Sequence, residues 1–369
     1  MSFVIGRGEE SETGLAGHLG RYRALDGSAG ADLYLDLDGP HAMLVVGKRG
    51  YGKSYTLGVI AEELARSPGV APVVVDPMGV FETLAADADG DPVPTEIRSA
   101  PTVTPTSLDP QSWCELLDLS PESGAGGLVW QAAANATTID EMCDHVDATD
   151  APAVDTRAAI NHLELAASWG VFDPNGLSAS ELASSAVTVV DVSGLEARPM
   201  NAVCRGVGEA LYRARVRETI DRLPWLLLDE AHTFFDGVAE PALERILTRG
   251  RAPGVSLVSA TQRPSAVPPV GISQSDVLVS HRLTAEADLE ALERARPTYM
   301  NESLETRLPT EAGEVVIVDD ATETIHAARI RRRQTPHGGD SPRASDFVDD
   351  GALETEIETV TGPRDSDRS

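Results

Sequence analysis

The chain has 369 residues, of which 59 are acidic and 30 basic, for a formal net charge of −29. No stretch reaches the ~18 apolar residues of a membrane span and no apolar leader opens the chain, so a soluble, cytoplasmic protein that does not touch a membrane is expected. Cys114, Cys143 and Cys204 are too far apart for a metal or redox motif, and the only two lysines are Lys48 and Lys53.

Residues 1–20 are polar and rich in Gly, Glu and Ser, which predicts a flexible N-terminus. ADLYLDLD (31–38) alternates apolar and polar residues and predicts a half-exposed strand; HAMLVVG (41–47) is a continuous apolar run that predicts a buried one. SYTLGVIAEELARS (54–67) has helical spacing, and APVVVDPMG (71–79) predicts a second buried strand with an acidic end. Strand, glycine-rich loop, helix, strand is the βαβ order of a parallel sheet.

Residues 85–112 carry no period and predict a loop. A helical insertion is expected over about 107–183, and the sheet resumes at AVTVVDVSG (186–194). A helix near 200–219, the strand PWLLLDE (224–230), the helix PALERILTRGR (241–251) and the strand of GVSLVSATQRP (254–264) follow. SDVLVSHRL (275–283) predicts a strand, AEADLEALERAR (285–296) a helix, and GEVVIVDD with ETIHAARIRR a terminal hairpin. One α/β domain over 21–333 is expected, followed by a disordered acidic tail over 334–369.

Gly47-Lys48-Arg49-Gly50-Tyr51-Gly52-Lys53-Ser54 satisfies the phosphate-loop pattern in full. Backbone N–H groups must wrap a triphosphate here, and glycines leave room for it. Lys53 would reach the β- and γ-phosphates, Ser54 would offer its hydroxyl to Mg²⁺, and Tyr55 opens the helix beside them. The bland alternative is a glycine-rich turn, which the flanking strand and helix disfavour. ATP and Mg²⁺ are the cofactors implied.

The apolar strand ending in Asp229 and Glu230 supplies two carboxylates where strand ends open into the ligand crevice. Asp229 would hold the metal, and Glu230 would orient or deprotonate the attacking water. Gln262, at the tip of a neighbouring strand, is a candidate γ-phosphate sensor or a turn residue before Pro264. Arg249 and Arg251 suit a helix C-terminus electrostatically, or an arginine finger reaching a neighbouring subunit. His232 is either a link to a substrate site or a polar residue at a helix start; Asp76 either touches the catalytic water or caps a turn.

With GKRGYGKS, VVVDPMG, VTVVDVSG, LLLDEAHTFF, LTRGRAPGVSLVSATQRP and SDVLVSHRL in that order, the chain resembles the HerA/FtsK superfamily, and its HerA branch most. The resemblance spans roughly residues 30–333. It implies a RecA-like α/β core and an ATPase in which Lys53, Ser54, Asp229 and Glu230 handle the nucleotide. It further implies Gln262 as sensor, Arg251 or Arg249 as trans-acting finger, a homo-hexamer on duplex DNA, and a nuclease partner such as NurA. Only about forty-six residues precede Gly47, so the small β-barrel that full-length relatives carry is expected to be missing or vestigial. The alternative class is an ATP-dependent switch acting on a protein partner without moving DNA. Dispersed acidity with almost no lysine predicts a haloarchaeal protein adapted to high salt, where the Debye length is about 3 Å at 1 M.

Overall fold

The computed structural model describes residues 3–8, 14–24, 27–86, 93–294 and 307–338. The chain opens with β1 (Phe3–Ile5), β2 (Ala16–Arg23), β3 (Ala29–Asp36) and β4 (Ala42–Val46). Then come α1 (Lys53–Arg66), β5 (Val70–Asp76), β6 (Thr95–Arg98) and five helices: α2 (Pro110–Leu116), α3 (Gly124–Asn135), α4 (Ile139–Ala148), α5 (Ala153–Ser168) and α6 (Ala179–Leu182). The remainder is β7 (Val187–Asp191), α7 (Ala197–Val216), β8 (Leu223–Leu228), α8 (Glu240–Arg249), β9 (Ser256–Thr261), α9 (Pro269–Ser273), β10 (Val277–Ser280), α10 (Glu286–Arg294), β11 (Glu314–Asp319) and β12 (Thr324–Ile330).

All twelve strands form one sheet in the order β1-β3-β2-β12-β11-β10-β4-β9-β8-β5-β7-β6. From β10 to β6 every neighbouring pair is parallel. Strands buried on both faces can be apolar throughout, and VAPVVVD and SLVSAT are buried at every residue. Most important for the site, β9 lies between β4 and β8. The carboxyl end of β9 is therefore set between the strand that leads into the glycine-rich loop and the strand that ends in the acids.

The two sheet faces have separate cores. Leu57, Ile60 and Leu64 of α1 pack on one face with Met43, Val74 and Leu227; Val203, Val207 and Leu211 of α7 pack on the other with Leu226 and Leu228. The α2–α5 helices have a core of their own around Trp113, Val129, Met142 and Leu163. Arg205 fastens this insertion to α7. It is 1% exposed, and its guanidinium donates to Asp109 at 3.1 Å and to the Val238 carbonyl at 3.3 Å.

Three segments differ from the sequence expectation. Residues expected to be flexible at the N-terminus include β1 and the start of β2, with Ile5 and Leu19 buried against the α1 core. The glycines there mark close approach: a Cβ at Gly20 would lie 2.1 Å from the Arg329 carbonyl oxygen, and one at Gly17 would lie 2.6 Å from Glu63 Cβ. Within the expected loop 85–112, TEIR forms the edge strand β6, too short to show a period. Gln334–Gly338, placed with the expected tail, pack on α1 through Thr335, which is 5% exposed; the expectation for 339–369 lies outside the described residues. The terminal hairpin forms as expected, with Glu314 opposite Arg329. Strands β1–β3 extend the open sheet beyond β12.

Candidate nucleotide site

The Gly47–Ser54 loop leaves the carboxyl end of β4 and runs into α1. Gly52 is left-handed at φ 108° and caps α1. That conformation is open to glycine and strained for other residues. Gly47 is needed for space, since a Cβ there would meet His281 Cβ at 2.5 Å. The loop is tied to its surroundings by Lys48 N–H donating to the Arg282 carbonyl (2.8 Å) and by the Lys48 ammonium over the Tyr51 ring (4.5 Å). Arg49 and Gly50 are exposed at the tip.

Lys53 is 6% exposed and curls back to the Lys48 carbonyl at 3.4 Å. Burial lowers its pKa, opposed by the nearby charges of Glu230 and Asp229. Ser54 Oγ donates to Asp229 Oδ2 at 2.7 Å, joining loop and acidic strand. Asp229 is fully buried, and burial raises its pKa against that hydrogen bond and one from the Glu230 N–H (3.0 Å).

Glu230 sits at φ 46°, ψ 43°, a left-handed conformation uncommon outside glycine and concentrated at functional sites. The turn aims its carboxylate into the crevice. Oε2 is buried without a hydrogen bond, and burial raises the pKa against the pull of Lys53 and Arg49. His232 Nδ1 lies 3.4 Å from that oxygen and 3.1 Å from Thr261 Oγ1. Burial, then Arg263 and Lys53, keep His232 below its ordinary pKa and so neutral.

Gln262 follows β9 directly, half-buried and with no hydrogen bond among the described residues, at the strand tip between loop and acids. Asp76 caps a turn at the end of β5, its carboxylate accepting from the Met78, Gly79 and Phe81 N–H groups at 2.7–3.0 Å, and it stays near enough to Asp229 for that charge to help raise its pKa. Tyr55 also turns away. Its hydroxyl accepts from the Arg333 N–H at 2.6 Å, and its ring meets His337 edge-on at 5.3 Å. Arg249 and Arg251 are exposed between α8 and β9, at the amino end of the strands. Six residues of β9, ~20 Å of strand, separate them from the crevice of their own chain.

Two residues at the site escape the sequence reading. Thr261 accepts from the Arg263 N–H (3.0 Å) and so shapes the turn that carries Gln262. His281, fully buried beneath Gly47 and Gly52, has Nε2 3.0 Å from Thr56 Oγ1. Burial first, and then Lys53, push its pKa down to about 3, so a neutral ring supports the loop. Its pairing with the loop exists only because β10 lies beside β4, and no local pattern signals that.

Residues 18–164 match the family model for the central domain of helicase HerA. Over that segment, less than half of the chain, the sequence is similar to the HerA family. No curated protein matches the sequence. Among solved structures, VirB4 of Thermoanaerobacter pseudethanolicus is similar at 17% identity and TM-score 0.66, covering 88% of this chain and 98% of that one. The bacterial conjugative coupling protein TrwB is similar at 14% identity and TM-score 0.55, covering 86% and 90%. TrwB in complex with ADP and Mg²⁺ gives 14% and 0.54, covering 80% and 86%. These likenesses show the fold. The HerA match ends inside α5, so the roles of the acidic strand, β9 and the arginines rest on the geometry above.

Proposed function

We propose that the chain is an ATP-hydrolysing motor that works as a homo-hexamer on duplex DNA. The observation that carries the catalytic part is the convergence of Lys53, Ser54, Asp229 and the unpaired Glu230 carboxylate at one strand-end crevice. The loop N–H groups and Lys53 hold the triphosphate of ATP. Glu230 Oε2, buried and without a donor, accepts the hydrogen bond of a water and takes its proton as attack proceeds. Gln262, at the tip of β9, is the γ-phosphate sensor in this reading.

The residues fit Mg²⁺. A hydroxyl and a carboxylate within hydrogen-bond distance are hard oxygen donors, and no cluster of three His, Cys, Asp or Glu is found among the described residues. Two protein oxygens, with water and phosphate completing the shell, suit this ion. When bound, Mg²⁺ neutralises charge on the β- and γ-phosphate oxygens.

The position of Arg249 and Arg251 supports the assembly. Exposed at the amino end of β9, opposite their own crevice, they would be free to reach the crevice of a neighbouring subunit. Duplex DNA as the track, and a NurA-like nuclease as partner, rest on the family. No described helix is long and apolar enough to cross a membrane. The acidic surface favours one second reading, an ATP-driven switch on a protein partner.

The deciding measurement is ATP turnover at molar salt, with and without duplex DNA, together with particle mass. Stimulation by DNA and a six-fold mass support the motor. A monomer whose turnover ignores DNA refutes it and leaves the switch.

A further inference from the structure

A cavity of about 840 Å³ opens beside the β2–β12 junction, away from the crevice. Its wall includes Arg21, Arg23, Arg329, Arg331 and Arg332, against two acids, Glu311 and Glu314. In a chain of net charge −29 this is a pronounced local reversal. The pairing register explains it: Arg21 lies opposite Arg329, and Arg329 opposite Glu314, so the three side chains share one face of adjacent strands.

The guanidinium groups differ in how far they are committed. Arg331 is 9% exposed and bonded to Glu62 and Glu63, so it belongs to the fold. Arg23 and Arg329 both reach Glu314 Oε1, at 2.8 and 3.4 Å. Arg329 keeps 56% of its side chain in solvent; Arg21, paired only with exposed Asp32, keeps 60%. Arg332 is exposed and makes no ion pair among the described residues. Exposed pairs of this kind are weak and exchange readily for another anion, and an arginine fork matches phosphate oxygens.

The cavity is also wired to the nucleotide loop. Glu311 and Glu314 flank Gly313, whose N–H points at the Tyr51 carbonyl of the loop (3.5 Å) and whose carbonyl accepts from the Ile330 N–H (2.9 Å). One short segment thus touches the phosphate loop on one side and lines the arginine cavity on the other.

We propose that this cavity is a contact surface for the phosphate backbone of duplex nucleic acid, coupled through Gly313 to the nucleotide loop. The inference rests on the motor reading and locates part of its track. The acidity of the helical insertion supports the placement: thirteen acidic residues against one arginine over 107–183 repel a phosphate backbone from that face. An acidic peptide is the rival occupant.

The test compares three full-length proteins: wild type, Arg21→Gln/Arg332→Gln, and the control Arg157→Gln/Arg198→Gln, which removes two arginines from elsewhere. Neither residue of the test pair leaves a buried acid without its partner, and matching melting profiles check folding. Binding of a fluorescent duplex is measured by anisotropy across a salt series. Loss of two phosphate contacts lowers the slope of log K against log salt by about 1.8 relative to wild type, with weaker binding at every salt; the control keeps the wild-type slope. Equal slope and affinity in test and control overturn the cavity inference alone. So does a test pair that loses a labelled polyglutamate peptide but keeps the duplex, which assigns the surface to acidic protein. A wild type that binds no duplex under any salt overturns this inference and the motor reading together.

Discussion

Ser54 Oγ donates a 2.7 Å hydrogen bond to Asp229 Oδ2 across 175 residues of sequence. It closes the crevice between the phosphate loop and the acidic strand, with the end of β9 beside both. The pair also defines where hard-oxygen coordination is available, and every catalytic expectation below depends on it.

Lys53→Ala removes the buried ammonium that the loop pattern assigns to the β- and γ-phosphates. ATP turnover is expected to fall by roughly 100-fold or more, with the melting temperature little changed, because the side chain makes one long hydrogen bond in the free protein. Phosphate release and calorimetry measure the two effects. Undiminished turnover would remove Lys53 from the mechanism.

Glu230→Gln keeps the shape of the turn and removes the base. Turnover should drop by about 10²–10⁴-fold while ATP is still bound, as read by a fluorescent analogue. A variant that loses binding and turnover together would assign Glu230 to nucleotide binding.

Arg249→Ala/Arg251→Ala should be inactive yet bind ATP, since neither arginine reaches its own crevice. Mixing this protein with Lys53→Ala should restore part of the turnover, because mixed rings bring intact crevices against intact arginines. No recovery on mixing, in subunits shown to exchange, argues against a finger in trans.

His41 gives the fold an alkaline limit. Burial alone would lower its pKa, but the hydrogen bonds it donates to Asp276 and Asp36, with their charges, win and raise it to about 9. The folded value lies above the unfolded ~6.5, so the stabilisation is fully present below that pH and is lost as pH rises through about 9. The full effect is on the order of 3 kcal/mol. Since Asp36 also holds Arg7, the loss should loosen β1–β3 from the ATPase core. Denaturant midpoints at pH 7 and pH 10 measure it, and His41→Leu should flatten the difference.

Glu62 anchors the segment after β12. It is fully buried, accepting from the Gln334 and Thr335 N–H groups, the Thr335 hydroxyl and Arg331 at 2.7–2.9 Å. Glu62→Ala leaves the Gln334 and Thr335 donors without their acceptor and takes from the nearly buried Arg331 one of its two carboxylate partners, which should destabilise by ~3 kcal/mol. Thermal melting reads the loss; a change below about 0.5 kcal/mol would mean the segment is held elsewhere.

Much of this was legible in the sequence because the signals are local. A full phosphate loop between a buried strand and a helix specifies its own conformation, since Gly52 must be left-handed and Lys53 must open α1. The apolar run ending in Asp229 and Glu230 likewise marks a buried parallel strand with acids at its mouth. Local patterns failed where packing decided. Gly17 and Gly20 read as looseness and are close contacts; Gln334–Gly338 read as tail and are held by a buried carboxylate in α1.

What the sequence alone determined is the chemistry available: a phosphate cradle that holds both of the chain's lysines, two adjacent carboxylates, and arginine as nearly the whole cationic inventory. Only the tertiary structure decided which of these groups meet. Strand order placed β9 between β4 and β8, put His281 beneath the loop, committed Asp76 to a turn and Tyr55 to Arg333, and set Arg249 and Arg251 at the opposite end of the strands. Strand order follows from long-range burial of apolar faces, which composition and periodicity constrain only in aggregate, so no local stretch of residues encodes it.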